Sequence, residues 1–540
     1  MNNQISRRSF LKGSAAAMLG TAAMTSLPAF AEEEEKRMFE EGQFAFEIPP
    51  EPVPEDEIIA EYEADVVVVG AGIGGAAATL AAAQEGASVL VLQKWDSPMT
   101  HGIGIAAFDT NAQHANGNGF DIDEVTDFLV KQAYGYGDQD VIKAVLEGGR
   151  DCINMFEDAL KDKGWGFFIA AYSPLTEEGC TAIHLWNDVD TTNGYSRVPL
   201  LNRRICTICE EEYGVQYLFE TPGKYLEKDE NGRVCAVIAQ NEEGYIRAKA
   251  NKGVILATGD IMNNPQMVKR WAPFNVGAPC TYAPPINTGD GHAMGLWAGA
   301  KMNKGPFAQA IHFDPSALPC GDAPFSGSPY FAINKHGKRY QNEDLPYPII
   351  ANTCIRQPDS MRFQIVDASF TENWNDLGNG MCRNAGFEFN SNEEALEASL
   401  KNGAIFKADT IDELLDILGF EGQYKENALA SIARYQELVE KGFDEDFRKN
   451  PEYLVRTPIK DAPFYGIPRK PGNLALLDGF VCTPTMQLID ENLEYIPGLF
   501  ACGNTVGNFF DVDYTLSIGG ISIGHAIGSG YVAGKSAAKA

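Results

Sequence analysis

The sequence predicts an α/β fold built on a parallel sheet that binds a dinucleotide, and two observations lead there. Asp65-Val66-Val67-Val68-Val69-Gly70-Ala71-Gly72-Ile73-Gly74-Gly75 reads as a buried strand, a glycine turn and the start of an Ala-rich helix, with Val89-Leu90-Val91-Leu92 as a second strand. The strand-into-glycine pattern returns at Gly253-Val254-Ile255-Leu256-Ala257-Thr258-Gly259-Asp260 and at Leu499-Phe500-Ala501-Cys502-Gly503-Asn504.

Gly70, Gly72 and Gly75 have the G-x-G-x-x-G spacing of a dinucleotide turn: one glycine for the tight bend, one for close backbone approach to a pyrophosphate, one for helix-to-strand packing. The amides at the helix start, from Ile73 and Gly74, then point at the phosphates. Where the second strand ends, an acidic residue usually meets the ribose hydroxyls, but this chain has Gln93, followed by Lys94. An amide still accepts one hydrogen bond and donates another. The loop Met99 to Ala107, with His101 and Gly102, is apolar and suited to lying against a flat ring system.

With 540 residues the chain can bury a large core, and 44% hydrophobic residues place it among globular proteins. The balance of 43 basic and 74 acidic residues leaves a net charge of −31. That charge repels phosphate backbones, so nucleic acid is excluded as a partner.

Residues 1–31 read as an address. Ser6-Arg7-Arg8-Ser9-Phe10-Leu11-Lys12 resembles the twin-arginine export signal, a short apolar run follows, and Ala29-Phe30-Ala31 offers a cleavage site. The apolar run is too short to span a bilayer, so no transmembrane segment is expected after signal removal. The mature chain is expected in the periplasm or otherwise outside the cytoplasmic membrane, where it could associate with the cell surface. Eleven cysteines at scattered positions form no disulfide framework. Cys206 and Cys209 form a C-x-x-C without the following His of a haem site or the further ligands of a metal site, and are expected to be helix packing.

Residues 32–63, from Glu32-Glu33-Glu34-Glu35 through the proline-rich Pro49 to Pro54, read as an acidic linker or surface arm. Helical periodicity runs from Asp123 to Lys163, interrupted at Tyr134-Gly135-Tyr136-Gly137, and a β-rich unit runs from Gln216 to Arg247. Thr288-Gly289-Asp290-Gly291 and Ile518-Gly519-Gly520-Ile521 each open a helix on glycine. No fixed-period repeat is present.

Five segments occur in one order: G-A-G-I-G-G at 70–75, V-I-L-A-T-G-D at 254–260, T-G-D-G-H-A-M-G at 288–295, G-K-R-Y-Q-N-E at 337–343 and P-G-L-F-A-C-G-N at 497–504. In this the chain resembles the FAD-binding fumarate reductase / 3-ketosteroid dehydrogenase family over about residues 64–535. The resemblance implies a discontinuous Rossmann-like FAD-binding domain at 64–324 and 476–540, with an inserted α+β cap (clamp) domain at 325–475. It implies FAD as cofactor, contacted by the fingerprint glycines, Gln93, Lys94, His101, Gly102, Ala257, Thr258, Gly259, Asp290, Gly503, Asn504, Ser517 and Ile518, with no metal. The spacing of His101 to the glycines does not match a covalent flavin attachment.

In the family's dicarboxylate reductases, arginines and a histidine hold the two carboxylates and a cap arginine delivers the proton. This chain departs at each place. Asp344-Leu345-Pro346-Tyr347-Pro348 follows the N-E motif without arginine, Thr371 follows Asp367-Ala368-Ser369-Phe370, and the C-terminal R-L-G-G reads Ser517-Ile518-Gly519-Gly520. No histidine lies between His336 and His525. Planar carboxylates call for bidentate guanidinium groups, so fumarate and succinate are poor substrates to expect.

The stretch N-E-x-x-P-Y is similar instead to ketosteroid dehydrogenases, and the resemblance makes Tyr347 the proton-transferring residue, with Glu343 of the same motif in the catalytic group. It places the Gly520 amide and Tyr514 at the substrate carbonyl, although Tyr514 stands six residues ahead of Gly520 rather than four. The function expected is an exported FAD-dependent reduction of a carbonyl-activated C=C bond, in an enone, enoate or unsaturated lactone. The chain has no C-x-x-C-H haem site, so electrons would come from a separate donor protein or a quinol-linked cytochrome. A desaturating ketosteroid-type dehydrogenase, a fumarate-type reductase and a non-catalytic FAD carrier are the alternatives.

Overall fold

A computed structural model describes residues 44–102, 104–177, 179–187, 198–276, 286–315, 329–345, 347–373, 377, 393–510, 514 and 517–540. The export signal, Glu32 to Glu35 and the domain boundary at 324 lie outside them. The chain forms two units, Met1–Pro50 and Glu51–Ala540. In the first, the rings of Phe44 and Phe46 stack 5.6 Å apart beside the 3-10 turn Ala45–Glu47.

The second unit is organised around β1, Ile58–Val69. This strand starts six residues before Ala64, inside the stretch read as an arm, because Ile58 to Ala64 pair in parallel with Tyr245 to Ala250 of β9, Tyr245–Leu256. Its first half alternates half-buried and exposed positions, whereas Val66 to Val69 are wholly buried. A strand reads as continuous valine where helices cover both sheet faces.

Beside β1 lie β2, Val89–Leu92, and β6, Gln216–Leu218, on one side. On the other lie β9, then β16, Tyr495–Ala501, and β15, Gln487–Ile489. The β6-β2-β1-β9-β16 run is parallel, and β15 closes it antiparallel. The hairpin of β7, Gly223–Lys228, and β8, Val234–Gln240, joins through β9. Chain order reverses between β1 and β9, and the crevice at the carboxyl ends of such strands is where open α/β sheets bind ligands.

Helix Ile73–Gln84 crosses from β1 to β2 and packs on the C-terminal helix Ile521–Lys539. Their approach is so close that a Cβ on Gly534 would stand 2.2 Å from Ala78 O, which is why both faces are Ala and Gly.

A second sheet has five strands: β10, Ala308–Pro315, β11, Ala332–Asn334, β12, Arg362–Val366, β13, Phe406–Ala408, and β14, Phe464–Leu477. Helices Ile411–Ile417 and Gly422–Lys441 cover it with a core that includes Phe331, Leu414, Tyr435 and Leu438. This sheet draws β10 from before position 324 and runs β14 past 475, so its strands cross both expected limits of the cap. A third sheet pairs β3, Ile105–Ala106, with β5, Gly179–Asn187, and β4, Gly166–Thr176.

Cys206 and Cys209 lie buried on helix Val198–Tyr213, in the neighbourhood of the buried Tyr217 hydroxyl. Burial pushes the Cys206 thiol up to about 12 and that of Cys209 higher still, so both are neutral packing groups. The eight described cysteines are free thiols.

Candidate active site

A cleft of about 1340 Å³, counting its open mouth, runs along the carboxyl ends of β1, β2, β9 and β16. Its floor is the fingerprint turn. Gly70 has φ +111°, and a Cβ there would stand 2.3 Å from Ala257 O, while one on Gly75 would stand 2.1 Å from Gly70 O. Gly70 and Gly75 are therefore fixed by protein packing. Gly72 is different: among the described residues a Cβ there would meet Met99 O alone, at 3.4 Å, so there is room beside it on the cleft side. Gly72 also caps helix Ile73–Gln84 with no side-chain bond, leaving the first-turn amides, with Ile73 and Gly74 on the cleft wall, for an anion.

Gln93 braces this turn. Its Oε1 accepts from Ala71 N–H at 3.1 Å and its Nε2 donates to Ser97 O at 2.9 Å, within a residue 5% exposed. A carboxylate could make the first bond but not the second, which accounts for an amide where acidic residues are usual. Lys94 Nζ reaches Asp290 Oδ2 at 3.0 Å and Thr288 Oγ1 at 2.6 Å, tying the end of β2 to the start of helix Asp290–Trp297. Thr258 Oγ1 accepts from Gly291 N–H at 3.1 Å. His101 lines the cleft, where burial lowers its imidazole to about 4 and keeps it neutral.

Thirteen of the residues singled out in the sequence line this one cleft: Gly70, Gly72, Ile73, Gly74, Gln93, Lys94, His101, Ala257, Thr258, Gly259, Asp290, Gly503 and Asn504. Gly75 lies behind the turn, and Gly102, at φ +117°, faces Ile523. Ser517 and Ile518 are turned to the third sheet instead: Ser517 O accepts from Cys180 N–H at 2.9 Å and Ile518 forms a bridge with Cys180. Residues without a motif complete the wall, among them Leu474 and Ala475 of β14 and Ser522, Ile523 and Ala526 of the last helix. Ser522 and Ile523 sit inside the glycine-opened segment at 518–524; Leu474 and Ala475 gave no local signal, because only the return of β14 from the second sheet brings them here.

None of the four residues expected to act on substrate is part of the lining of this cleft. Gly520, at φ +77°, caps the helix carrying Ser522, Ile523 and Ala526. Tyr514 packs edge-on against Phe510 at 5.5 Å. Tyr347 opens helix Tyr347–Ile355, whose Ile350, Ala351 and Cys354 pack on Ile311 of β10. Glu343 stands apart. It is completely buried, and both its oxygens accept from Arg339 at 2.8 Å, so its charge is committed to an ion pair rather than open to a substrate. At the position after the D-x-S-x stretch, the Thr371 hydroxyl donates to Ala368 O at 3.1 Å.

The model of the FAD binding domain family matches residues 65–522, almost all of the mature chain. The chain belongs to that family. It is an FAD-dependent oxidoreductase, and a twin-arginine translocation signal sequence matches residues 4–24 and marks it for export. Vinyl phenol reductase of Lactiplantibacillus plantarum is 26% identical over 506 residues, covering 88% of this chain and 96% of that protein. The open conformation of a flavocytochrome c3 fumarate reductase superposes with a TM-score of 0.69 at 20% identity, covering 92% of this chain and 82% of that one. The 3-ketosteroid-Δ4-(5α)-dehydrogenase of Rhodococcus jostii RHA1 superposes with a TM-score of 0.65 at 22% identity, covering 91% of this chain and all of that one. Those two likenesses establish the shared fold.

The site residues fit FAD on the protein's own terms: room beside Gly72, an uncapped helix start and, at Asn504 Oδ1, a buried acceptor without a donor among the described residues. Among the described residues no cluster could hold a metal ion, and no helix is long and apolar enough to cross a membrane.

Proposed function

We propose that this exported flavoprotein reduces a C=C bond conjugated to a carbonyl or an aryl group on a neutral or weakly charged substrate. The observation that carries this reading is the absence of the arginines that a dicarboxylate would need: the stretch Asp344 to Pro348 has none, and Thr371 and Ser517 stand where the other two are expected. The resemblance in sequence to a vinyl phenol reductase points the same way, towards an aromatic or otherwise uncharged alkene.

Bound FAD supplies the hydride. The Gly520 amide stabilises the oxygen that gains charge, a donor of a kind worth about 3–4 kcal/mol. Tyr347 gives the proton to the neighbouring carbon; a phenol near pKa ~10 is a ready donor at neutral pH and a poor base, which favours the reductive direction. Helix Tyr347–Ile355 packs on the sheet whose strand β14 carries Leu474 and Ala475 into the cleft, so that sheet is the natural substrate wall. Tyr514 and Glu343 have the support of the resemblance alone, and the ion pair of Glu343 argues for a role in holding its own segment. Electrons come from a separate donor protein outside the cytoplasmic membrane, in the periplasm or at the cell surface. The cap limits at 325–475 are best moved outward to take in β10 and all of β14.

Stopped-flow reoxidation of the dithionite-reduced, FAD-loaded enzyme tests the reading. Tyr347→Phe should retain FAD and slow reoxidation by a vinylphenol or enone at least 100-fold. An unchanged rate removes Tyr347 from the proton transfer, and reoxidation by fumarate alone overturns the substrate class.

A further inference from the structure

Asp260 is completely buried, at the turn that follows β9. Two donors hydrogen-bond its carboxyl, Met262 N–H at 2.8 Å and Asn287 Nδ2 at 3.2 Å, and the Leu476 N–H and the side-chain amide of Asn504 stand near it, so that four separate segments meet there. None of the four groups is a cation. Two of them, Asn287 and Asn504, line the cofactor cleft, as do Gly259, Met262 and Ala475 beside Asp260 and Leu476. Asn504, near Asp260, presents a buried Oδ1 that meets no partner among the described residues. The carboxylate therefore fixes an acceptor on the cleft wall that matches a hydroxyl or ring N–H of the ligand.

We propose that Asp260 is a positioning residue of the flavin site, which orients Asn287 and Asn504 towards the cofactor and binds one proton from solvent when the cofactor is reduced. This rests on FAD binding and not on the substrate reading, so the two fail separately. Two electrons enter from the external donor, the flavin's own proton comes from solvent, and a second solvent proton neutralises Asp260; reoxidation returns it. The physical reason is charge. Negative charge added in a water-poor cleft makes a nearby buried carboxylate costly, and proton uptake offsets that cost. Burial, working against the hydrogen bonds, already pushes the carboxyl up to about 7, close to the point of uptake.

The other ionisable groups on the surrounding elements are otherwise engaged. His292 is held neutral by burial, at about 4. Asp290 is paired with Lys94. Both oxygens of Asp478 accept from Asn303 Nδ2 at 3.1 Å. Lys269 and Arg270 are exposed.

The test is the midpoint potential of the bound flavin from pH 5.5 to 8.5 in the FAD-loaded wild type and in Asp260→Asn. The wild type should gain one extra proton per two electrons in its pH slope near neutrality, and the variant should lose that increment. Above pH 8 the variant should favour the reduced cofactor at least tenfold more, ~30 mV more positive for a two-electron couple. A purely structural role would lower the melting temperature and leave the slope unchanged. Should the variant lose FAD, redox-difference infrared spectra of the wild type decide: a protonated-carboxyl band appearing on reduction is expected, and its absence together with no slope increment overturns the proposal.

Discussion

Asp260, beside the cleft, has only neutral groups among the partners described for it, whereas Glu343 and Asp444, flanking the second sheet, share the guanidinium of Arg339 and lie near Lys449, 3.8 Å from Glu343. All three carboxylates are buried, but their chemistry diverges. Burial pushes Asp444 up, yet its bonds from Arg339 and from the Phe447 and Lys449 amides outweigh that and bring it to about 2. The charge there is permanent and serves to hold chain segments together. At Asp260 no cation among the described residues opposes desolvation, so the charge is free to change within the working pH range. The cleft is built from backbone geometry and neutral hydrogen bonds, the flank of the second sheet from fixed charge.

The largest effect should come from breaking the backbone side of that contrast. Gly75→Val would drive side-chain atoms into Gly70 O, which a Cβ alone would already meet at 2.1 Å, and should leave the purified protein with almost no flavin by absorbance at 450 nm. Full occupancy would show the turn to be more yielding than its packing implies. Breaking the charged side, Arg339→Met strands two buried carboxylates and should cost about 3–5 kcal/mol in urea unfolding. A loss under ~1 kcal/mol would mean that the ion pairs are incidental.

The two regions should also answer pH with opposite sign. Asp444 is lowered in the fold, so its contribution is complete above the unfolded value near 3.8 and is lost as pH falls towards about 2. Asp260 is raised, so stability falls as pH climbs from about 4 to about 7, while the folded chain still holds a proton that the unfolded chain has released. Unfolding free energies from pH 2.5 to 8 should therefore lose the acid limb in Arg339→Met and the upper limb in Asp260→Asn. A smaller effect belongs to Gln93→Leu, which leaves the Ala71 N–H without its acceptor and should cost about 1–3 kcal/mol, with weaker FAD retention. An unaltered flavin content and melting point would remove Gln93 from the bracing of the turn.

The cleft was largely legible in the sequence because its rules are local. Gly70, Gly72 and Gly75 answer to contacts within a few residues of strand, turn and helix, and the repeated strand-into-glycine pattern located Thr258, Gly503 and Asn504. Long-range geometry was not legible. Ile58 to Glu63 read as an acidic arm because one face of that strand half is in solvent, and only its pairing with β9 reveals the strand. Leu474 and Ala475 carry no motif, and the ion pair of Glu343 depends on Arg339 and on Asp444, a hundred residues away. Asp260 stood at the end of a recognised segment, but the four groups that give it meaning come from positions 262, 287, 476 and 504.

The central claim, that the cleft holds a flavin which reduces an uncharged activated alkene, is tested most directly by anaerobic titration of the reduced holoenzyme with vinylphenols, enones, unsaturated lactones and fumarate, following flavin absorbance and product together. One equivalent of a neutral alkene per flavin should restore the oxidised spectrum and yield the saturated product, while fumarate should leave the flavin reduced. A flavin that stays reduced with every alkene, yet passes its electrons to a redox protein, would contradict the account and make this chain an electron carrier.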